Sequence, residues 1–451
     1  MQNPASSQQT YVRSRAALCC LTLLFVTPVA SQTIVEILDS TGDGMTALSL
    51  PRHVVVDNNG NVFANGFSNV FKITAAGQVT EIIDSSGDGS NSLLTAEGMA
   101  LDAAGNLYVV GNQSSNCFKI TPSGQITEIV DTFGGGGGFL TNSRDVAVDS
   151  LGNAYVAAET TDNVLKITPG GVITQVLDDS GDGGGNIADC PESLAIDTQN
   201  NVYVACKCSN NVFMITPAGV VTEILDAAGD DLGAAMLFPL DVSLDADDNL
   251  FVSSFTSSNV LKRTPGGTVT EVIGPAGDSS GNPLSGAAGI NLDAAGNLYV
   301  ASFSNSRVFK VTPLGDIEIA MNSSGDGSGN TLDGPSNIAT LGSAVFVTGR
   351  TTNNVFRISD PNHIRGDANG DGSVDLADAI ATLNYLFADG PGLCLDAMDF
   401  NDSESVTITD VFDQLCRLFC NPLSSDPPAP FPLCGLDPGG SGLDCVIGAC
   451  P

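Results

Sequence analysis

Residues 366–387 read GDANGDGSVDLADAIATLNYLF. Oxygen-bearing side chains alternate along it: Asp367, Asn369, Asp371, Ser373 and Asp375, then Asp378. Counted from Asp367, they occupy positions one, three, five, seven, nine and twelve of a loop. That spacing wraps a hard divalent cation, calcium above all, in oxygen donors. Gly372 stands at position six, where the chain must bend sharply. Ser373 would contribute its backbone carbonyl, and Asp375 can act through water. A helix is predicted to follow, with Leu376, Ile380, Leu383 and Phe387 on one apolar face. The rival reading is a solvated acidic turn. A second segment, DFNDSESVTITDVFDQLCRLF, repeats the spacing with Asp399, Asn401, Ser403, Ser405, Thr407 and Asp410. Here Ser403 replaces an acid, Glu404 replaces the bend glycine and Thr407 replaces the ninth donor, so weak or absent calcium is expected. Its helix would present Ile408, Val411, Leu415 and Leu418.

A second constellation is spread over the chain before this segment. Arg52, Glu97, Arg144 and Glu192 alternate in sign at intervals of 45 to 48 residues, and Leu240, Ala288 and Ser336 continue the series. The next positions are His53, Gly98, Asp145, Ser193, Asp241, Gly289 and Asn337. If the elements carrying them converge, these groups form a site for a polar ligand, with Arg52, His53, Glu97, Arg144, Asp145, Glu192, Asp241 and Asn337 as its candidates. The competing reading is a ring of salt bridges holding neighbouring units in register. Glu97, Asp145, Glu192, Asp241 and Asn337 could also supply a metal-assisted hydrolytic site. The chain has only two histidines, His53 and His363, so acid–base chemistry near neutral pH has few candidates.

The elements that must position these residues recur with the same period. Asp57, Asp102, Asp149, Asp197, Asp245 and Asp293 mark the register of a repeating unit. Each unit divides into four short β runs, as in GMALD, NLYVV, CFKIT and QITEIV. The first pair is joined by a turn such as DAAGN, the second by one such as TPSG. Alternating apolar residues and β-branched side chains favour strands over helices. Four strands per unit at this period predict a β-propeller. The seventh unit stops after three strands, and TIVEIL at 33–38 is an orphan fourth strand. Pairing Thr33–Leu38 beside Val355–Ser359 would close a ring of seven blades and remove the loose edges.

The pattern GNLYV…NxVFKITPxG resembles NHL-type repeats and the related lactonase-like and virginiamycin-B-lyase-like propellers. The resemblance implies an all-β seven-bladed β-propeller and says little about chemistry. The lyase-like and lactonase-like relatives use His, Glu or metal ligands on the face where the alternating charges would converge. That makes an extracellular lactonase, lyase or polysaccharide-linked hydrolase the alternative function. The two acidic loops resemble a type I dockerin, a small α-helical, EF-hand-like calcium-binding domain. That resemblance implies calcium as the cofactor and a cohesin-like or other extracellular protein as partner. Leu376-Ala377 and Ile408-Thr409 stand at its partner-reading positions and differ between the halves.

The chain has 451 residues and a formal net charge of −35, which repels nucleic acid and anionic membrane surfaces. Residues 1–31 read as a signal peptide, with Arg13 and Arg15 before an apolar run that is short for a membrane span, and small residues at Val29-Ala30-Ser31. No later segment is apolar and long enough to cross a bilayer. Cys19 and Cys20 would leave with the signal, and the remaining cysteines favour disulfides in an exported chain. Cys190 is expected to pair with Cys206 or Cys208. Six cysteines, Cys394, Cys416, Cys420, Cys434, Cys445 and Cys450, staple the C-terminal part in an order the sequence does not choose. The Asp-Gly-rich links between units, such as SSGDG, read as flexible connections in preference to metal sites. The expected organisation is a signal peptide at 1–31, a propeller at 32–360, a dockerin-like domain at 361–421 and a Pro/Gly/Cys-rich tail at 422–451. The expected function is a secreted, non-catalytic binding protein with a ligand such as a polysaccharide or small polar molecule.

Overall fold

The computed structural model describes residues 33–359 apart from 137 and 231, together with 367–369, 374–388, 398, 400 and 406–419. The signal-like segment and the tail at 422–451 lie outside the described residues. Residues 33–359 form seven sheets of four antiparallel strands each. In blade 2 the strands are Ala96–Leu101, Leu107–Gly111, Asn116–Ile120 and Ile126–Val130, in that spatial order. The other blades repeat this order. Blade 7 does so with an exchange: Thr33–Leu38 pairs with Asn354–Ser359, with Thr33 opposite Ser359 and Ile34 opposite Ile358. The ring is therefore closed by the strand that precedes blade 1.

Burial explains why each strand has its composition. The second strands are buried along their whole length, as in Leu107–Gly111, because neighbouring blades cover both faces. They accordingly read as unbroken apolar runs. The fourth strands lie at the outside and alternate, as in Ile126–Val130, where Thr127 is exposed and Val130 is buried. The core is a set of layers between blades. One layer packs Tyr108, Val110 and Cys117 of blade 2 against Val146, Val156 and Leu165 of blade 3. The closing layer packs Leu38, Phe346 and Val355 of blade 7 against Val54, Val62 and Phe71 of blade 1.

The repeat signature has a hydrogen-bond meaning. The Asn opening the third strand reaches an acid or amide in the fourth: Asn116 Nδ2 donates to Glu128 Oε1 at 2.7 Å and Asn211 Nδ2 to Glu223 Oε1 at 2.8 Å. Asn354 does the same to Glu36 at 2.8 Å, so the closing strand carries the same partner as an ordinary fourth strand. The Asp at the end of the first strand closes its hairpin. Asp102 accepts from the Ala104 and Asn106 N–H groups, both at 2.9 Å. The Asp-Gly links are built as turns. Asp88 accepts from the Ser90 and Asn91 N–H groups, and a Cβ on Gly87 would sit 1.9 Å from the Asn91 carbonyl oxygen. Their carboxylates are thus engaged in local turn chemistry.

Beyond the propeller, helices α1 (Leu376–Phe387) and α2 (Ile408–Phe419) pack against each other. Among the described residues no helix is long and apolar enough to cross a membrane.

Candidate functional site

The first strands surround a central channel, and one mouth of that channel is a pocket of about 250 Å³. Two rings of residues line it from every blade, and an outer ring around them adds Phe255, Phe303 and Arg350. The outer ring takes the residue just after each second strand. In blades 2 to 7 the N–H of this residue donates to the backbone of the segment entering the first strand, whereas in blade 1 Gly66 N donates to Asn69 O. Glu159 donates to Asn142, Lys207 to Cys190, Phe255 to Phe238, Phe303 to Gly286 and Arg350 to Gly334, at 2.9 to 3.1 Å. In blades 2 to 7 the backbone is the same each time, and only the side chain varies.

The middle ring holds Arg52, Glu97, Arg144, Glu192, Leu240, Ala288 and Ser336. From blade 2 onward these residues lie inside the first strand, as its second residue, and not just ahead of it. Each stands where the pairing register shifts, for example between Ser143 and Asp145 and between Pro191 and Ser193. Such a bulge re-aims a side chain out of the sheet.

Four blades are joined by charge. Glu97 pairs with Arg52 and, at 3.3 Å, with Arg144. Arg144 meets Glu192 at 2.9 Å and Glu159 at 3.0 Å. Lys207 meets the same two acids at 2.7 and 2.8 Å. Burial raises the Glu97 pKa despite both arginines. Burial opposes the charge of Arg144, but Glu192, Glu97 and Glu159 more than offset it, and its pKa is raised. The alternating signs do form interblade salt bridges, and the same side chains line the pocket.

The inner ring is His53, Gly98, Asp145, Ser193, Asp241, Gly289 and Asn337. Its acids and amide staple blades together. Asp145 Oδ2 accepts from Leu194 N at 2.8 Å, Asp241 Oδ2 from Ile290 N at 2.8 Å and Asn337 Oδ1 from Val54 N at 3.0 Å. The intervening blades carry small residues to leave room. A Cβ on Gly98 would lie 2.2 Å from Asp145 Oδ1, and Ser193 Oγ donates to Asp241 at 2.9 Å. Burial pushes Asp145 up to about 8 and Asp241 up to about 6. Burial pushes His53 down to about 4, so its imidazole is neutral at physiological pH, and its Nδ1 is buried without a hydrogen-bond partner.

The structure therefore brings all eight sequence-predicted rim residues to one mouth. It does not assemble Glu97, Asp145, Glu192, Asp241 and Asn337 as a metal cluster. Among the described residues the only group of three or more His, Cys, Asp or Glu side chains with mutually close ligand atoms is Asp189, Cys190 and Cys208. In that group Cys190 and Cys208 are joined as a disulfide, while Cys206 is free and buried. Sequence reasoning missed the outer ring: Glu159, Lys207, Phe255, Phe303 and Arg350. The signal was present in the turns ETTDN, FTSSN and FSNSR, which vary at their opening residues between units.

At the mouth, the outer and middle rings of blades 5 and 6 are apolar. Phe255 stacks between Phe238 at 6.4 Å and Phe303 at 6.2 Å between ring centroids, and Leu240 and Ala288 lie beside them. Lys207 lies 5.8 Å from the Phe238 ring centroid, where the charged arc meets the apolar one.

In the acidic segment, Asp367 and Asp378 are fully buried. Asp378 accepts from Asn369 N at 3.0 Å and Asp375 N at 2.8 Å. Asp410 accepts from Thr407 N at 2.8 Å, repeating the second of these contacts in the other half. Likewise Ala377 N donates to Asp375 and Thr409 N to Thr407. Asp371, Ser373, Asp399, Asn401, Ser403 and Ser405 lie outside the described residues.

Together the fold and the pore mouth define a seven-bladed β-propeller with a mixed charged and aromatic pocket. A family profile described as a beta-propeller repeat matches residues 133–166. No curated protein matches the chain. Among solved structures, a streptogramin B lyase superposes with a TM-score of 0.58 at 14% identity, covering 73% of this chain and 97% of that one. A catalytically inactive virginiamycin B lyase from Staphylococcus aureus with quinupristin gives 0.57 at 15%, covering 73% and 99%. Hydrazine synthase from Kuenenia stuttgartiensis gives 0.51 at 17%, covering 69% and 96%. These likenesses show the propeller fold.

Proposed function

We propose that this is a secreted binding protein whose propeller holds a small polar ligand at the pore mouth, without turning it over. A dockerin-like module would supply calcium-dependent attachment to a cohesin-like or other extracellular protein. The observation that carries the reading is the pocket itself, with one residue per blade from each of two rings lining a single mouth. Its volume of about 250 Å³ favours a small molecule over a long polymer. Saturation-transfer NMR with a fragment library tests this. Binding that is lost on Glu192→Gln and Phe303→Ala supports it; absence of any pocket ligand counts against it.

Calcium fits the residues of the first acidic loop. The donor set is all oxygen, and Asp367 and Asp378 are buried acids in a strongly acidic chain. Asp367, Asn369, Asp371, Ser373, Asp375 and Asp378 would hold the ion, which would neutralise these acids and tie the loop to α1. In the second loop Thr407 Oγ1 already donates to Asp410 at 3.1 Å and accepts from Thr409, which supports weaker binding there. Calcium is expected to raise the helical circular dichroism of the full chain, and Asp367→Ala is expected to abolish that gain. Identical spectra in calcium and in chelator would remove the assignment.

A second reading, an enzyme of the lyase or lactonase type, is favoured by one observation. His53 lines the pocket as a neutral imidazole with an unengaged Nδ1. An imidazole is a common general base, and here it is a weak one, because burial holds it near 4 and encloses Nδ1. Screening lactones and cyclic depsipeptides tests it, with turnover expected to vanish in His53→Ala.

A further inference from the structure

Among the described residues, the ion pairs at the mouth leave one cation without a partner. Every glutamate there is taken: Glu97 by Arg52 and Arg144, Glu159 and Glu192 by Arg144 and Lys207. One cation is left over. Arg350 lines the pocket, and among the described residues no carboxylate lies within salt-bridge distance of its guanidinium. Burial and the charges of Arg52 and Arg144 lower its pKa, and the more distant charge of Glu97 offsets this only in part, yet a guanidinium stays protonated at any physiological pH. A half-buried cation without a counter-ion is unfavourable, because it loses hydration and gains no partner. Among the described residues none makes an ion pair with it, and Glu97 acts on it only from beyond salt-bridge distance. The rim residues of its own blade, Ser336 and Asn337, are neutral, and the blade before it is apolar.

The position of Arg350 adds a second constraint. It is anchored through its N–H to Gly334 O at 3.1 Å. A Cβ on Gly334 would lie 3.2 Å from the Phe303 ring, so that ring packs against the segment that anchors Arg350. Phe255 extends the apolar wall, its ring tilted 57° from that of Phe303. Arg350 and the rings of Phe255 and Phe303 thus line one and the same pocket. The unpaired charge is single, and glutamates stand nearby, so a monoanion suits the site better than a dianion.

Resting on the pocket reading above, we propose that the pore mouth takes an amphipathic monoanion, a carboxylate held by Arg350 with a planar apolar body against Phe255 and Phe303. The guanidinium fork matches a carboxylate in a bidentate manner.

The test uses phenylacetate, its neutral amide phenylacetamide, and phenethylammonium, titrated into the full chain and read by NMR. Phenylacetate is expected to bind, the amide about tenfold or more weaker, and the cation not at all. Arg350→Gln is expected to weaken phenylacetate by about tenfold or more and to melt at or above the wild-type temperature, with partial rescue by Arg350→Lys. Phe303→Ala is expected to weaken phenylacetate and the amide together. Equal binding of amide or cation, unchanged binding by Arg350→Gln, or a large drop in its melting temperature would each overturn the anion assignment while leaving a pocket ligand in place. Silence from all three probes and from the fragment library would overturn the pocket reading itself.

Discussion

At the scale of the residue, the inner ring shows that a functional-looking group can have structural work. Asp145 accepts two backbone N–H groups, its own neighbour Val146 and Leu194 of the next blade. Its buried carboxyl titrates near 8, whereas an unfolded aspartate titrates near 4. Between those values the folded chain binds the extra proton, so this residue's contribution to stability is full below about pH 4 and is lost as pH rises toward 8. Asp145→Asn removes that titration but turns an amide N–H₂ toward one of the two donors. The variant is expected to be less stable than wild type at pH 5, with the gap narrowing by pH 8, as read from melting temperatures. Asn337 shows that an amide can fill the equivalent place, because it staples Val54 through Oδ1 alone. Beside it, Gly98→Ala is expected to cost about 1–3 kcal/mol, since its Cβ would strike Asp145. Urea unfolding measures that loss.

At the scale of the element, the turn after each second strand both sets the outer ring and ties blades together. In blade 4 this turn is held by the Cys190–Cys208 disulfide. Cys190 lies two residues before Glu192, and Cys208 follows Lys207, so the bond pins both sides of an ion pair at the pocket. The enclosed loop has a sequence separation of 18, for which chain entropy gives about 3 kcal/mol. Replacing both cysteines with serine is expected to lower stability by about that amount, measured by denaturant unfolding, and to loosen ligand binding on the charged side. Cys206, the other expected partner, is buried in the second strand opposite Pro191 and Asn211, where its side chain packs with Phe213 and Val204.

At the scale of the whole molecule, closure decides whether the layers are complete. Removing Thr33–Leu38 would uncover Asn354–Ser359 as a free edge and take Leu38 and its neighbours from the layer shared with Phe71 and Phe346. We expect the truncated chain to melt lower, over a broader transition, and to aggregate through the open edge. A sharp transition at the wild-type temperature would show that the ring is held without this strand.

The number of blades, their four-strand plan and the closing partner were legible because they are local, repeated patterns of alternation, turn residues and spacing. Arg52, Glu97, Arg144 and Glu192 were legible for the same reason, since an equivalent position recurs once per repeat. Their meaning was not, because whether a charge is paired depends on which blade stands next to it around the ring. The lone state of Arg350, the aromatic arc of Phe255 and Phe303, and the stapling role of Asp145 and Asp241 all arise from contacts between segments about one repeat or more apart. Composition and period are properties of the chain taken in order, whereas the balance of charge at the mouth is set only when the first strand meets the last.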